Sequence, residues 1–163
     1  MKSLLIVFHS MTGGARQMAA AAQRGAAAEA AVIVRLRAAA EAGAGDLLQA
    51  DGYLFVTPEN LAAMAGAMKD FFDRTYYAAL DRLNGRPYAA LVCAGSDGQN
   101  AARQLERICT GWRLKRIDDT LIVCTHAQTP EAILAPKTIG TADLARCEAI
   151  GAAMAAGLAL GVF

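Results

Sequence analysis

Residues Leu4-Leu5-Ile6-Val7-Phe8 form an uninterrupted apolar run that breaks at once into the short loop Ser10-Met11-Thr12-Gly13-Gly14-Ala15, with a helical pattern following. An apolar run of this length, without polar alternation, belongs to a strand covered on both faces. The same arrangement recurs at Gly52-Tyr53-Leu54-Phe55-Val56, which ends in Thr57-Pro58-Glu59-Asn60 before a second helical stretch. Strand, polar loop, helix, repeated, builds an open parallel sheet with a phosphate-cofactor site at the carboxyl ends of its strands. In the first loop, Gly13 and Gly14 permit close backbone approach, Ser10 and Thr12 carry hydroxyl donors, and the helix start turns free N–H groups toward the same point. The loop matches neither G-x-G-x-x-G nor G-x-x-x-x-G-K-[ST], which argues against a dinucleotide fingerprint and a P-loop.

Four further features fill in the organisation. Buried strands are expected at Ser3–His9, Gly52–Thr57, Tyr88–Ala94 and Thr120–Thr125, with a more alternating edge strand at Ala31–Leu36. Helices are expected at Gly14–Glu29, Leu61–Leu80, Gly98–Trp112 and Thr141–Leu160, the last with Thr141 as N-cap, and a short one within Ala38–Gln49. The alternation gives an α/β fold: a three-layer sandwich around a five-stranded parallel sheet in order 2-1-3-4-5, as one domain over residues 1–163. That order puts a switch point between the first and third strands, beside the two loops already singled out.

Composition narrows the function. The net charge of +1 and the lack of a dense Lys/Arg run argue against nucleic acid. The longest apolar stretch, Ala149–Phe163, is shorter than a spanning helix, so a cytoplasmic protein without a membrane partner is expected. Cys93, Cys109, Cys124 and Cys147 include no C-x-x-C pair and read as buried small hydrophobes. His9 and His126 both lie at strand ends, but their strands are roughly 14 Å apart in this order, so no metal site is expected.

Ser10-x-Thr12-Gly13 resembles the S/T-x-T-G-x-T phosphate loop of the flavodoxin family, with Ala15 in place of the last threonine. Thr57-Pro58-Glu59 followed by Met64-Ala65-Gly66-Ala67-Met68-Lys69-Asp70-Phe71-Phe72-Asp73 is similar to segments of two groups. They are the tryptophan-repressor-binding-protein type of NAD(P)H:quinone oxidoreductase and the NADPH-dependent FMN reductases. Where those relatives place an aromatic after the proline, this chain has Asn60, Leu61 and Ala62. The loop Ala94-Gly95-Ser96-Asp97-Gly98 resembles the one lying along the pyrimidine side of the flavin in that group; Asp97 is either a flavin contact or the N-cap of the following helix.

The resemblance implies a flavodoxin-like oxidoreductase that holds FMN through Ser10, Met11, Thr12, Gly13, Gly14 and Ala15 in the first loop. The second loop would contribute Thr57, Pro58, Glu59, Asn60 and Leu61, and the third Ala94, Gly95, Ser96, Asp97 and Gly98. NAD(P)H would be the reductant and a quinone or similar small molecule the acceptor, with no catalytic side chain needed because the cofactor carries the chemistry. It also implies a homodimer or homotetramer. Two other readings stand beside it: a non-enzymatic electron carrier of the flavodoxin type, and a flavin-free binding module on the same fold. Arg16 is either a long-range attraction for phosphate or a solvated helix residue. Tyr76, Tyr77 and Trp112 are either flavin-stacking rings or core and subunit contacts. Residues Ala127–Gly140 are either a lid or interface arm, or a surface excursion without a role.

Overall fold

Leu4, Leu5, Ile6 and Val7 have no exposed surface, and their side chains alternate between two separate cores. That is the demand a doubly covered strand makes, because successive side chains leave a strand on opposite faces. The computed structural model describes residues 1–163. Its sheet comprises β1 (Lys2–Phe8), β2 (Val32–Ala38), β3 (Gly52–Asn60), the two-residue β4 (Ala63–Met64), β5 (Pro87–Ala94), β6 (Lys115–Arg116) and β7 (Leu121–Cys124). The strand order is β2-β1-β3-β5, with β6 and β7 both pairing alongside β5, and every pairing is parallel except that of β4 with β3. The expected order 2-1-3-4-5 is therefore present, with its last position split into two short pieces around Ile117–Thr120.

There are six helices, of which all but α5 pack on the sheet: α1 (Gly14–Ala27), α2 (Ala44–Gln49), α3 (Gly66–Ala79), α4 (Gln99–Gly111), α5 (Pro130–Leu134) and α6 (Thr141–Leu160). One core joins Leu4, Ile6, Leu54, Val56 and Leu91 of the strands to Met18 and Ala22 of α1 and Met154 of α6. The other joins Leu5, Val7, Phe55 and Val92 to Leu47 of α2, Phe71 of α3 and Leu105 of α4. Trp112 belongs to this second core, edge-on to Phe72 at 5.3 Å between ring centroids, so of the two readings of that ring the core one holds. Cys93, Cys109 and Cys147 are buried free thiols, while Cys124 is half-buried.

Three local expectations are corrected. The helix expected from Leu61 begins at Gly66, because Glu59 and Asn60 pair antiparallel with Met64 and Ala63 and form a hairpin instead. Leu61 and Ala62 make its turn, both with positive φ (49° and 62°), the geometry of a tight twisted hairpin. Leu61, Met64 and Met68 have helical spacing, but Leu61 is fully exposed at the turn. Thr141 is the first residue of α6 rather than its cap; Gly140 occupies the cap position. Asp97 is likewise not the cap of α4, which is Gly98, although its Oδ1 accepts a long bond from the Gln99 N–H at 3.4 Å.

The seat of α1 is set by α6. A Cβ added to Gly25 would fall 1.9 Å from the Glu148 carbonyl oxygen, and one added to Gly151 would fall 1.9 Å from the Ala22 carbonyl oxygen. The two backbones are thus in direct contact across the helix crossing, with no room for a methyl group on either side. Gly45 in α2, by contrast, faces open space. Gly151→Ala is expected to cost about 1–3 kcal/mol, since the obstruction is backbone and cannot rotate away. Gly45→Ala is expected to be neutral or to stabilise by about 0.4–1 kcal/mol. Urea denaturation of the two variants measures both; equal stabilities would refute the close crossing.

Candidate cofactor site

β1, β3 and β5 end side by side, so the loops after them share the carboxyl edge of the sheet. The first loop, Ser10 to Gly13, turns into α1 through Gly13, whose φ of 95° is a conformation that only glycine adopts without strain. A Cβ at Gly13 would have space, its nearest neighbour being Gln17 Nε2 at 3.6 Å. Backbone conformation, rather than steric clearance, therefore calls for glycine there. Gly14 is needed for the opposite reason: its Cβ would lie 2.6 Å from Cys93 Sγ on the neighbouring strand end.

The polar groups of this loop divide into two sets. The Gly13 N–H donates to Ser10 Oγ at 3.1 Å, the Thr12 carbonyl accepts from the Lys137 N–H at 2.8 Å, and the Gly13 carbonyl accepts from the Gln17 N–H at 3.1 Å. The N–H groups of Met11, Thr12, Gly14, Ala15 and Arg16 have no partner within the protein. These unpaired donors gather at the N-terminus of a fourteen-residue helix, where the dipole also favours an anion. The Ser10 hydroxyl, used as an acceptor by Gly13, still has its own proton to give. Ala15 is buried and offers its N–H alone. Arg16 is exposed, and its guanidinium carbon sits 5.1 Å above the Phe8 ring centroid. The donor set suits a terminal phosphate, and the fit rests on these orphan N–H groups.

The second and third loops are locked together. Glu59 Oε2 accepts from the Gly98 N–H at 2.7 Å, which ties the hairpin to the start of α4. Two α4 side chains reinforce the tie: Asn100 Nδ2 donates to the Ala62 carbonyl at 2.6 Å, and Gln104 Oε1 accepts from the Met64 N–H at 2.8 Å. Thr57 is wholly buried, its hydroxyl accepting from the Ala65 N–H and donating to the Pro58 carbonyl, so its contribution is to place the hairpin. Pro58 continues β3 opposite Cys93 rather than making the turn, and Ala94 is buried at the end of β5. Left facing outward are Asn60, Leu61, Ser96 and Asp97, with the N–H groups of Leu61, Ala62, Ser96 and Asp97 free of protein partners. Gly98 has a φ of 83°, and a Cβ there would meet Ile122 Cγ2 at 2.7 Å. α1 and α4 are thus both entered through a left-handed glycine.

Of the expected site residues, Ser10, Met11, Thr12, Gly13, Gly14 and Ala15 stay together around one helix end. Glu59, Asn60 and Leu61 adjoin Gly95, Ser96, Asp97 and Gly98 through the Glu59 bond. Gln17, Asn100, Gln104 and Lys137 were not among them, yet they hold the loops in place. The signal for Asn100 and Gln104 is their i, i+4 spacing just after a glycine cap; for Gln17 it is the position one helical turn past Gly13. Tyr76 and Tyr77 lie near the end of α3 that points away from these loops. A cleft of about 280 Å³ lies beside them, lined by Lys69, Phe72, Asp73, Tyr76, Ile108 and Trp112, and does not reach the carboxyl edge. Burial pushes the Cys93 thiol beneath Gly14 up to about 11, against a smaller opposing pull from Lys137, so it remains protonated and unreactive at neutral pH.

Comparison with known proteins agrees with this architecture. A flavodoxin structure from the domain Archaea superposes with a TM-score of 0.77 at 18% identity, covering 96% of this chain and 98% of the other, so the fold is flavodoxin-like. An NAD(P)H dehydrogenase (quinone) of Acidithiobacillus ferrooxidans is 33% identical over 95 aligned positions, 46% of this chain and 48% of that protein. A flavodoxin of Aquifex aeolicus is 30% identical over 98 positions, 60% of this chain and 53% of that one. The chain spans about half the length of these two relatives. Residues 28–128, which include the hairpin and the third loop, match the family described as NADPH-dependent FMN reductase. With well over half of its residues matched and the loops of the carboxyl edge arranged as above, the chain belongs to the NADPH-dependent FMN reductase family.

Proposed function

We propose that this protein holds FMN at the carboxyl edge and catalyses NAD(P)H-dependent reduction of a quinone or a similar small acceptor. The observation that carries the cofactor assignment is the set of unpaired N–H groups of Met11, Thr12, Gly14, Ala15 and Arg16 around the α1 N-terminus. Those donors suit a single terminal phosphate, with Ser10 and Thr12 adding hydroxyls. Asn60, Leu61, Ser96 and Asp97 would border the ring system, and the free N–H groups beside them would meet its polar edge. When bound, FMN supplies hydride acceptance at its N5 and onward delivery of the electrons. The chain's own part is to bind and orient the cofactor, with Leu61 fully exposed at the hairpin turn beside it.

A carrier function without NAD(P)H chemistry is the second reading, favoured by the flavodoxin relative. The near-neutral charge of this chain weighs against it, because carriers of that type resemble this fold but are strongly acidic around the flavin. Steady oxidation of NADH or NADPH by the purified, FMN-loaded protein in the presence of a quinone is expected. Turnover no faster than that of free FMN would favour the carrier. We further propose a homodimer or homotetramer, supported by exposed Tyr76, Tyr77 and Leu80 beside the cleft between α3 and α4. Sedimentation at micromolar concentration is expected to show a species above 17 kDa; a monomer would refute it.

The phosphate loop can be tested through its backbone. FMN is expected to bind more tightly than riboflavin or FAD. Gly13→Val is expected to abolish FMN binding with the fold retained, because a β-branched residue at φ 95° displaces the donors. Arg16→Ala is expected to weaken FMN about tenfold or less, roughly 1.4 kcal/mol, since its charge is held over Phe8 and acts at a distance. Titration followed by flavin fluorescence measures all three. The reverse ranking of the two variants would mean that a side-chain charge, not the loop backbone, holds the phosphate.

A further inference from the structure

The segment between β7 and α6 runs behind the phosphate loop and is fastened to it by one side chain, Gln17, and one backbone bond. Gln17, on the first turn of α1, uses both hydrogens of its amide and its oxygen. Its Nε2 donates to the Gly13 carbonyl at 3.0 Å and to the Lys137 carbonyl at 2.7 Å, and its Oε1 accepts from the Ile139 N–H at 3.0 Å. A fourth bond, from the Lys137 N–H to the Thr12 carbonyl, closes the clamp. The segment itself is pinned at the Lys137–Ile139 end while α5, further along it, buries none of its residues. Lys137 Nζ donates to the Ile133 and Ala135 carbonyls and so finishes α5 rather than reaching the loop.

We infer that Gln17 is a positioning residue for the phosphate site, aiming the loop's N–H donors by holding its carbonyls from behind. The reasoning is geometric and rests on the FMN assignment above. In a planar trans peptide the C=O and the N–H point in opposite directions. The Gly13 carbonyl and the Gly14 N–H belong to one peptide unit. Holding that carbonyl with the Gln17 backbone and side-chain N–H groups therefore turns the Gly14 N–H the other way, outward from α1, with no protein partner to receive it. The neighbouring unit, Thr12 carbonyl and Gly13 N–H, is fixed at both ends, by Lys137 and by Ser10 Oγ. Gly13 and Gly14 would otherwise be the most conformationally free pair in the loop. A remote strap, reached through one amide side chain, removes that freedom before the ligand arrives, and pre-organisation of this kind appears as affinity. The ring-side loops are held by a different set of bonds, from Glu59, Asn100 and Gln104, so Gln17 acts on the phosphate end alone.

Gln17→Leu, similar in size and unable to hydrogen-bond, is the direct test, with FMN and riboflavin as paired probes and amide hydrogen exchange on the apoprotein. FMN affinity is expected to fall about tenfold while riboflavin affinity stays within about twofold, and exchange at Lys137 and Ile139 is expected to accelerate. Equal losses for both ligands would overturn the inference, because a merely structural role weakens the whole pocket. Unchanged affinity for FMN beside faster exchange would also overturn it, showing that the clamp serves the strap alone. Wild-type protein that binds riboflavin as tightly as FMN would instead remove the phosphate assignment itself, and the inference with it. Should Gln17→Leu fail to fold, Gln17→Met and Gln17→Glu give the same paired readout; Glu is expected to be the worse of the two, since its carboxylate would face two carbonyl oxygens.

Discussion

The direct backbone contact of α1 with α6 is the constraint on which the carboxyl edge depends. Gly25 and Gly151 let the two helices meet without intervening side chains, and Gly14 lets the start of α1 rest on Cys93 of β5. Those contacts fix the two ends of α1, one against α6 and the other against β5. The position of its N-terminal N–H groups follows, and with it the point where a phosphate can be held. A helix seated even one methyl group further out would carry its first turn away from the ends of β1 and β3.

The remaining walls of the site are made differently. The hairpin of β3 and β4 is joined to α4 by hydrogen bonds between side chains and backbone, with Met64 alone of its β4 residues buried in the core that α4 shares. Its turn places two non-glycine residues, Leu61 and Ala62, in the left-handed region, at a cost on the order of 1–2 kcal/mol each. Asn100 holds the Ala62 carbonyl and Gln104 the Met64 N–H, both on the outgoing side of the bend. The edge thus combines a packed half, centred on α1, with a hydrogen-bonded half, centred on the hairpin.

The sheet was readable from sequence because β1, β3 and β5 are buried on both faces, and burial writes itself as an unbroken apolar run. The two glycine-bearing loops were readable for a related reason: glycine is the residue that the left-handed entries to α1 and α4 require. The hairpin was not. Leu61, Met64 and Met68 repeat with helical spacing, and a turn of Leu-Ala carries none of the usual glycine or asparagine signal. Gln17 carried only a weak signal, its place one turn past Gly13, since a polar residue on an amphipathic helix looks the same whether it meets water or a carbonyl 120 residues away. Periodicity reports which face is buried; it carries no information about which distant backbone group a side-chain amide will find.

The division of the last strand into β6 and β7 has a consequence for how the molecule behaves among its own copies. A long, flat outer strand offers a row of unused hydrogen-bonding groups to any chain that passes, and is a common beginning of fibrous association. On this side the row is cut into pieces of two and four residues. On the other, β2 carries Arg35 and Arg37, charges that an added strand would have to bury or displace. Each border of the sheet is thus poorly suited to extension, and the long apolar strands at its centre can be kept without making the protein prone to polymerise.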